Sequence, residues 1–551
     1  MASNKIILYQ VFTRLYGNRN TTRKEDGTIE ENGCGKLNDF TPTTLKKIRE
    51  MGVSHIWYTG VIRHATMTDY SAYGIPRQHP AVVKGRAGSP YAITDYYDID
   101  PDLAEDVNQR MQEFEALVER THQASLKIII DFVPNHVARQ YHSICKPEGV
   151  KDLGENDNQQ VGFDPQNNFY YCPGQRFTPY FDLYHGEDEP YIEEPAKATG
   201  NDCFHNAPGM NDWYETVKLN YGVDYYAGRV GHFQPIPDTW SKMTDILLFW
   251  AKKGVDGFRC DMAEMVPAAF WQWATDKVKF IYPDKIFIGE VYNPAEYRNY
   301  LGAGFDYLYD KVGMYDTLRA IICGHQSTHA ITGAWQATDD IRDHMLYFLE
   351  NHDEQRIASS FFAADAMKGV PGLVVSALLQ QNPLMIYAGQ EYGEWGMDKE
   401  GFSGNDGRTT IFDYWSIDTL VRAARGHLTV SEKRLRDIYY KVLTIARSEQ
   451  AVTDGFTFDL MYVNSHLHRQ YVFLRSYKSE ALLVATNFDG LPTTIDVTLP
   501  AHAFDFLRLK EKNAQATDLL TGGKMKLALH RDGALSLQLP PSGAVILKFK
   551  V

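Results

Sequence analysis

Eight short apolar segments, separated by helical stretches, recur between residues 5 and 391 and constrain the fold more than any other feature. Their β-branched and aromatic residues are nearly continuous, which is typical of parallel strands covered on both faces. Eight such strands alternating with helices predict an α/β chain with a closed (β/α)8 TIM barrel. The predicted strands are 5–12, 55–61, 127–133, 254–261, 285–291, 305–310, 345–353 and 384–391, and the clearest helices are 41–51, 107–125, 241–253 and 432–450.

Two segments depart from this repeat. The stretch between the third and fourth strands is far longer than one helix needs, and residues 139–237 are polar and rich in Asn, Asp, Gly and Tyr. We therefore expect an inserted subdomain after strand 3. From about residue 453, short alternating segments with turn signals predict an antiparallel β-sandwich. The segments are QYVFLRSY (470–477), ALLVATNF (481–488), TTIDVTLP (493–500), GALSLQLP (533–540) and GAVILKFKV (543–551). The expected domains are the barrel, 1–138 with 238–452, the inserted subdomain, 139–237, and the C-terminal β-sandwich, 453–551.

Composition excludes several classes of protein. The chain has 551 residues, of which 44% are hydrophobic, so it can bury a large core in two or three domains. Its net charge of −14 and the lack of a basic cluster argue against nucleic acid as a partner. No apolar run reaches the ~20 residues of a membrane span. The chain begins without signal-peptide features, which predicts a cytoplasmic protein, although a secreted chain that has lost its signal would look the same.

The six cysteines include no Cys-x-x-Cys pair and no zinc-ligand spacing. Free thiols in a reducing compartment are the expectation.

The fourth predicted strand, in the stretch GVDGFRCDMAE (254–264), carries two charges in a segment that should be buried. Side chains in a barrel strand alternate between the interior and the helix layer. Gly257, Arg259 and Asp261 should therefore share the interior face, with Asp261 at the carboxyl end of the strand, where the active sites of such barrels lie. A neighbouring arginine lowers the pKa of a carboxylate, which suits a nucleophile.

Other strands end in groups of the same kind. The third ends with Asn135 and His136, the fifth with Glu290, and the seventh with His352 and Asp353. Each acid alone could cap a following helix, but together they favour a site. Two converging carboxylates suggest glycoside hydrolysis through a covalent intermediate, in which one attacks the sugar and the other, protonated, donates to the leaving oxygen. We expect Glu290 to keep its proton because Asp261 and Asp353 lie nearby.

The chain resembles the α-amylase superfamily of glycoside hydrolases. The matching segments, in family order, are GVSHIWYTGV (52–61), DFVPNH (131–136), GFRCD (257–261), IGEV (288–291) and ENHD (350–353). The resemblance implies that Asp261 is the nucleophile and Glu290 the general acid/base. It further implies that Asp353 binds sugar hydroxyls and helps to distort the ring.

The same resemblance implies a set of substrate-binding residues. Arg259 would orient the nucleophile, His136 and His352 would bond hydroxyls of the sugar, and Tyr91 would stack on it. Asp406 and Arg408 would contact the next sugar. Asn135 corresponds to one calcium ligand of the family, but the segment MAEM (262–265) lacks a Lys-His pair that contributes to calcium binding. We expect no organic cofactor and activity without tightly bound Ca²⁺.

Three functions are compatible with these residues. The leading one is a retaining α-glycoside hydrolase that acts on α-glucans or maltooligosaccharides. The same site could instead serve an α-glucan or maltosyl transferase or an isomerase. A non-catalytic glycan-binding relative is a third alternative, which the presence of all three acids disfavours. The oligomeric state stays open.

Overall fold

The eight predicted strands close into one parallel barrel in the computed structural model, which describes residues 5–396 and 404–551. Each strand pairs with its neighbours in sequence, and the last pairs with the first, for example Leu8 with Met385. The (β/α)8 prediction is confirmed. The strands are β1 Ile7–Phe12, β2 His55–Thr59, β3 Lys127–Phe132, β4 Gly257–Cys260, β5 Ile286–Gly289, β6 Tyr307–Tyr309, β7 Met345–Phe348 and β8 Leu384–Tyr387.

Helices surround the barrel and most of them bury one face, whereas every residue of the helix Val370–Leu378 is buried. In the helix Pro42–Glu50, Thr41 caps the first turn by accepting from the Thr44 N–H, and Leu45 and Ile48 face inward. The helices of the layer around the barrel are α1 Pro42–Glu50, α2 Arg110–Gln123, α3 Asp238–Lys252, α4 Ala268–Ile281, α5 Tyr297–Gly302, α6 Asp316–Ile322, α7 His329–Gln336, α8 Val370–Leu378, α9 Asp418–Ala424 and α10 Val430–Ser448. Single-turn or two-turn helices form at Thr13–Tyr16, Ile29–Asn32, Gln450–Thr453 and Ala501–Leu507.

Most strands fill the barrel interior with large apolar side chains, and β4 is the exception. Leu8, Trp57, Ile129, Ile288 and Met385 are among the residues of this inner cluster. In β4 a Cβ at position 257 would lie 2.4 Å from the Ile286 backbone oxygen, so only glycine fits there. The next interior position of β4 carries an arginine, while its alternate residues pack in the outer helix layer. The interior therefore has room for a polar site at β4.

The segment 139–237, between β3 and α3, contains little regular structure. Tyr171–Cys172 pairs with Ala196–Lys197, and Val223–Asp224 pairs with Val230–Gly231. Near its end, Thr216–Lys218 returns and pairs antiparallel with His136–Ala138, just beyond β3. This last pairing fixes the inserted segment against the carboxyl end of the barrel.

The C-terminal part of the chain forms an antiparallel β domain of two sheets. The strands are β9 Phe456–Asp459, β10 Gln470–Tyr477, β11 Glu480–Asn487, β12 Thr493–Leu499, β13 Lys512–Asp518, β14 Lys524–Leu529, β15 Gly533–Leu539 and β16 Gly543–Lys550. The larger sheet has the order β9-β10-β11-β16-β13-β14, and β12 pairs with β15 in the smaller one. The predicted antiparallel fold is confirmed, although three strands, β9, β13 and β14, were not foreseen.

All six cysteines are free thiols, as expected. Among the helices of the described ranges, none combines the length and apolarity needed to cross a membrane.

Candidate active site

A cavity of about 560 Å³ lies at the carboxyl ends of the barrel strands. Seven predicted site residues line it: Tyr91, His136, Asp261, Glu290, His352, Asp353 and Arg408. The remaining lining residues are Lys84, Ser89, Asn211, Trp213, Glu215, Thr216, Met262, Tyr292, Glu354, Thr409, Thr410, Ile411 and Phe412. A second cavity, of about 600 Å³, lies among α1, α9 and α10 and contains none of the predicted residues.

Arg259, in β4, is fully buried beneath the first cavity and contacts three carboxylates. Its Nη1 donates to Asp261 Oδ1 at 2.8 Å and to Asp131 Oδ1 at 3.4 Å. Its Nη2 lies 2.8 Å from Glu290 Oε2, an ion pair that lacks the angle of a hydrogen bond. One guanidinium therefore holds the predicted nucleophile and the predicted acid side by side.

Asp131 is a buried acid whose contact with Arg259 the sequence analysis did not assign. It lies directly opposite Arg259 in the pairing of β3 with β4. Its Oδ2 accepts from Trp57 Nε1 at 3.0 Å and from the Gly60 N–H at 3.3 Å. Burial raises the pKa of Asp131 to about 6, against the lowering effect of Arg259. Side chains alternate between the interior and the helix layer along both β3 and β4, and this alternation could have predicted that Asp131 and Arg259 face each other.

The electrostatics of Asp261 differ from the expectation. Arg259 does lower the pKa of this carboxyl, but burial raises it more, and Glu290, Asp353 and Asp131 raise it further. The net direction is well above the ordinary value of 3.8. The local sequence shows the arginine that lowers the pKa of Asp261. It does not show the loss of solvent around the carboxyl, which raises that pKa and is the larger effect.

Glu290 receives hydrogen bonds on both oxygens. Its Oε2 accepts from the Met262 backbone N–H at 2.8 Å, and its Oε1 accepts from the Tyr292 hydroxyl at 2.7 Å. Met262 has a φ of +43°, a left-handed conformation that is uncommon outside glycine and is typical of functional sites. Burial is the largest cause of a strongly raised pKa at Tyr292, so its hydroxyl remains a donor. Sequence reasoning missed Tyr292, since its contact depends on this turn.

His352 and Tyr91 form one wall of the cavity. Their rings stack with centroids 5.4 Å apart, and the Tyr91 hydroxyl is hydrogen-bonded to His352 Nε2. Gln10 Nε2 contacts the other ring nitrogen, Nδ1, at 2.8 Å. Burial and the nearby Arg259 hold the pKa of His352 well below 6.5, so this imidazole is neutral.

His136 lies across the cavity, beside Trp213 of the inserted segment, with ring centroids 5.2 Å apart. Burial lowers its pKa to about 3, with smaller effects from Lys218 and Lys84. The second of these lysines lines the cavity and forms an ion pair with Glu215 at 2.9 Å. The inserted segment therefore contributes part of the cavity lining, namely Asn211, Trp213, Glu215 and Thr216.

Asp353 and the loop after β8 complete the set of predicted residues. The Asp353 side chain is 39% exposed, far more than Asp261 or Glu290, and its Oδ2 lies 3.3 Å from His352 Nε2. Arg408 lines the cavity and pairs with Asp406 at 3.3 Å, whereas Asp406 itself does not line the cavity. Asp406 is thus linked to the cavity through its ion pair with Arg408.

Asn135 does not line the cavity, and its surroundings do not fit a calcium ion. Its side-chain oxygen accepts from the ammonium of Lys218, a cation that would repel a second one at this oxygen. A calcium ion needs ~6–8 oxygen ligands.

Another cluster within the described ranges, Asp95, Asp98 and Cys145, has the spacing of metal ligands. Its carboxylates are already engaged. Arg63 contacts both acids, and Arg110 donates to Asp98 at 2.7 Å. We assign no metal to it.

Comparison with known proteins places the chain in a family. It matches the family model described as alpha amylase, catalytic domain, over residues 10–427. It is 24% identical to Alpha-amylase 3 of Dictyoglomus thermophilum over 457 residues, which are 78% of this chain and 81% of that protein. It is 26% identical to an alpha-1,4-glucan:maltose-1-phosphate maltosyltransferase of Cereibacter sphaeroides over 219 residues, 39% of this chain and 24% of that protein.

Among solved structures, the fold resembles that of a noncanonic maltogenic alpha-amylase, AmyB, from Thermotoga neapolitana. The TM-score is 0.64 over 100% of both chains, at 19% identity. At this identity the likeness concerns the fold. Because the family model covers more than half of the sequence, this chain belongs to the α-amylase family of glycoside-active enzymes.

Proposed function

We propose that the protein is a retaining α-glycoside hydrolase that cleaves α-glucans or maltooligosaccharides through a covalent glycosyl–Asp261 intermediate. The observation that carries the proposal is the contact of one guanidinium, Arg259, with both Asp261 and Glu290. Retaining enzymes need their carboxyl groups about 5–5.5 Å apart, closer than the ~6.5–9.5 Å of inverting enzymes. A shared counter-ion supports the closer spacing.

In the first step, Asp261 attacks the anomeric carbon as the bond to the leaving oxygen breaks. Glu290 transfers its proton to that oxygen, so the leaving sugar departs as an alcohol. Met262 and Tyr292 orient the Glu290 carboxyl through its two oxygens. Arg259 stabilises the ionised form of Asp261 that must attack.

In the second step, Glu290 takes a proton from water, and the resulting hydroxide oxygen attacks the anomeric carbon and displaces Asp261. The neutral His136 and the carboxylate of Asp353 would bond hydroxyls of the bound sugar. His352 would do so through Nε2, where a sugar hydroxyl would replace the hydroxyl of Tyr91. Tyr91 would pack against the sugar ring. These contacts are the proposed means by which the sugar is held during both steps.

Transfer to a second sugar is the alternative for the same intermediate. One observation favours it: the aromatic residues Trp213 and Tyr292 line the cavity together with Glu290, and aromatic faces suit an acceptor sugar. Similarity to a maltosyltransferase over part of the chain points the same way. Hydrolysis remains our proposal, because the residues that follow Asp261 offer few polar contacts to an acceptor sugar. The first charged side chain after Asp261 is Glu264, and its Oε2 already accepts from the N–H groups of Tyr292 and Asn293.

The test is the anomer that is released first. Proton NMR of maltooligosaccharide hydrolysis should show the α-product before mutarotation, and Asp261→Asn should release none. A β-product first would contradict retention. Products longer than the substrate as the main species would replace hydrolysis by transfer, and binding without turnover would favour a non-catalytic glycan-binding protein.

A further inference from the structure

A buried lysine occupies the junction between the inserted segment and the barrel. Lys218 ends the strand Thr216–Lys218 and lies opposite His136 in the antiparallel pairing beyond β3. Its side chain is only 2% exposed. A charge at such a position needs close partners, because an unpaired buried ammonium is costly.

Oxygen atoms from three separate parts of the chain surround its Nζ. Asn135 Oδ1 accepts a hydrogen bond, Asp202 Oδ1 lies at 2.7 Å, and the Met265 carbonyl lies at 3.5 Å. An amide, a carboxylate and a backbone carbonyl are the hard oxygen ligands that calcium prefers. Here one ammonium contacts all three, so the inserted segment is joined to the ends of β3 and β4 without a metal.

The same contact fixes the orientation of the Asn135 amide. An ammonium can only donate, so the atom of Asn135 that faces Lys218 must be the oxygen. The amide nitrogen therefore points the other way, where it donates to the Gly200 carbonyl at 2.8 Å and lies 3.1 Å from His136 Nδ1. This removes the usual ambiguity between the two amide atoms.

A further consequence concerns the proton of His136. Because Nδ1 accepts from the Asn135 amide, it carries no proton, and the ring proton lies on Nε2. Throughout residues 5–396 and 404–551, no protein group is hydrogen-bonded to His136 Nε2, and the side chain lines the cavity. His136 thus presents an N–H donor to the cavity.

We infer that Lys218 is a built-in cation that takes the place of a divalent metal and, through Asn135, sets the tautomer of His136. Lys218 is a positioning residue in this scheme, and His136 touches the ligand. The inference goes beyond the proposed reaction, since two of its three tests need no substrate.

The first test is a ¹⁵N NMR spectrum of the full-length protein labelled at histidine, with the His136 signals assigned by difference from His136→Gln. We expect the Nε2–H tautomer in the wild type. Lys218→Met should change this signal, because the Asn135 amide is then free to turn. A wild-type ring protonated at Nδ1 would overturn the inference.

Lys242 provides a matched control within the same region. Its Nζ donates to the Asp152 carbonyl at 2.8 Å and to Asn168 Oδ1 at 3.0 Å, and it pairs with Asp238 at 2.8 Å. Lys242→Met removes a similar lysine contact that does not reach His136. It should leave the His136 spectrum unchanged, and equal spectral changes in the two variants would contradict a specific role for Lys218.

The second test is calcium itself. Chelator-treated wild-type protein should show no change in its unfolding midpoint on addition of CaCl2 and no binding heat. Tight calcium binding or a raised midpoint would overturn the inference, and this measurement stands even if Lys218→Met does not fold.

The third test uses substrate. Lys218→Met should raise KM about tenfold, the equivalent of one lost hydrogen bond to the sugar. The KM of Lys242→Met should equal that of the wild type. An unchanged KM in Lys218→Met would contradict the link to His136. If no α-glucan is turned over at all, the proposed function fails while the first two tests still decide this inference.

Discussion

Arg259 contacts Asp131, Asp261 and Glu290 at once and is their nearest cation among the described residues. Asp353 adds a further acid to the same cavity. Such an excess of acids over bases is costly in a buried site, and the raised pKa of Asp261 expresses that cost. A cluster that is unfavourable for stability yet retains its hydrogen bonds is typical of catalytic sites.

Asp261→Asn should abolish turnover without unfolding the protein. Loss of a nucleophile lowers kcat by roughly 10⁴ to 10⁶. Because the folded-state pKa of Asp261 is raised, its ionised form destabilises the fold at neutral pH, and a neutral amide should leave the unfolding midpoint unchanged or raise it. Steady-state kinetics and thermal melts check both parts. A folded variant with near-normal kcat would disprove the assignment.

Tyr292→Phe should lower kcat about tenfold. The hydroxyl donates to Glu290 Oε1 and so holds the carboxyl that must transfer the proton, and its loss removes one hydrogen bond to that group. Tyr297→Phe is the matched control, because the buried Tyr297 hydroxyl has no hydrogen-bond partner within residues 5–396 and 404–551. Steady-state kinetics check this prediction, and equal kcat values in the two variants would show that Tyr292 does not position the acid.

At the scale of elements, the sequence was sufficient wherever burial is periodic. All eight barrel strands and the predicted helices appear because their apolar residues repeat with the period of the element. The missed strands β13 and β14 read KNAQATD and KMKLAL, so small or polar residues hide the alternation.

The predicted acids meet because the carboxyl ends of parallel strands lie at one end of a barrel. The contact of Lys218 with Asn135 joins residues 83 positions apart through an irregular segment, which no local pattern encodes. The direction of the Asp261 pKa was likewise beyond local sequence, because desolvation depends on the whole site.

The junction of β1 and β8 contains an acid that offers a further prediction. Glu391 is 2% exposed and accepts from the Tyr9 hydroxyl at 2.6 Å and from the Gly389 N–H at 3.0 Å. Burial raises its pKa from 4.5 to about 7. Between these two values the unfolded chain releases a proton that the folded chain keeps, so stability decreases as pH rises through this window, by on the order of 3 kcal/mol.

Glu391→Gln removes this titration while its amide can still donate to the Tyr9 oxygen. The free energy of unfolding from denaturant melts should therefore fall less between pH 4.5 and 7 in the variant than in the wild type. The exposed substitution Glu119→Gln serves as the control and should follow the wild type. Parallel curves for all three proteins would refute the role of Glu391.

For the whole molecule, the barrel layer and the C-terminal β domain share one apolar core. A single cluster contains Leu373 of α8, Leu443 of α10 and Leu483 of β11. Arg475, in β10, is buried and donates to the carbonyls of Leu379, at 2.9 Å, and Ala451, at 2.8 Å. The two parts of the chain are therefore continuous in packing and in hydrogen bonding.

We expect the protein to unfold in one cooperative transition, with coincident midpoints for calorimetry, near-UV circular dichroism and loss of activity. Arg475→Met leaves several buried carbonyls without a donor and should destabilise the whole protein by about 3 kcal/mol or more. Two separate calorimetric transitions, or a variant that loses only the C-terminal β domain, would contradict a shared core.

The central claim is that Asp261 forms a covalent bond with the sugar, and trapping that species tests it most directly. In Glu290→Gln, α-maltosyl fluoride still reacts, because fluoride leaves without a proton donor, while the second step lacks its base. Mass spectrometry of the denatured protein should show one added maltosyl unit, and peptide mapping should place it on Asp261. Release of fluoride with no adduct and with a product of inverted configuration would contradict the account.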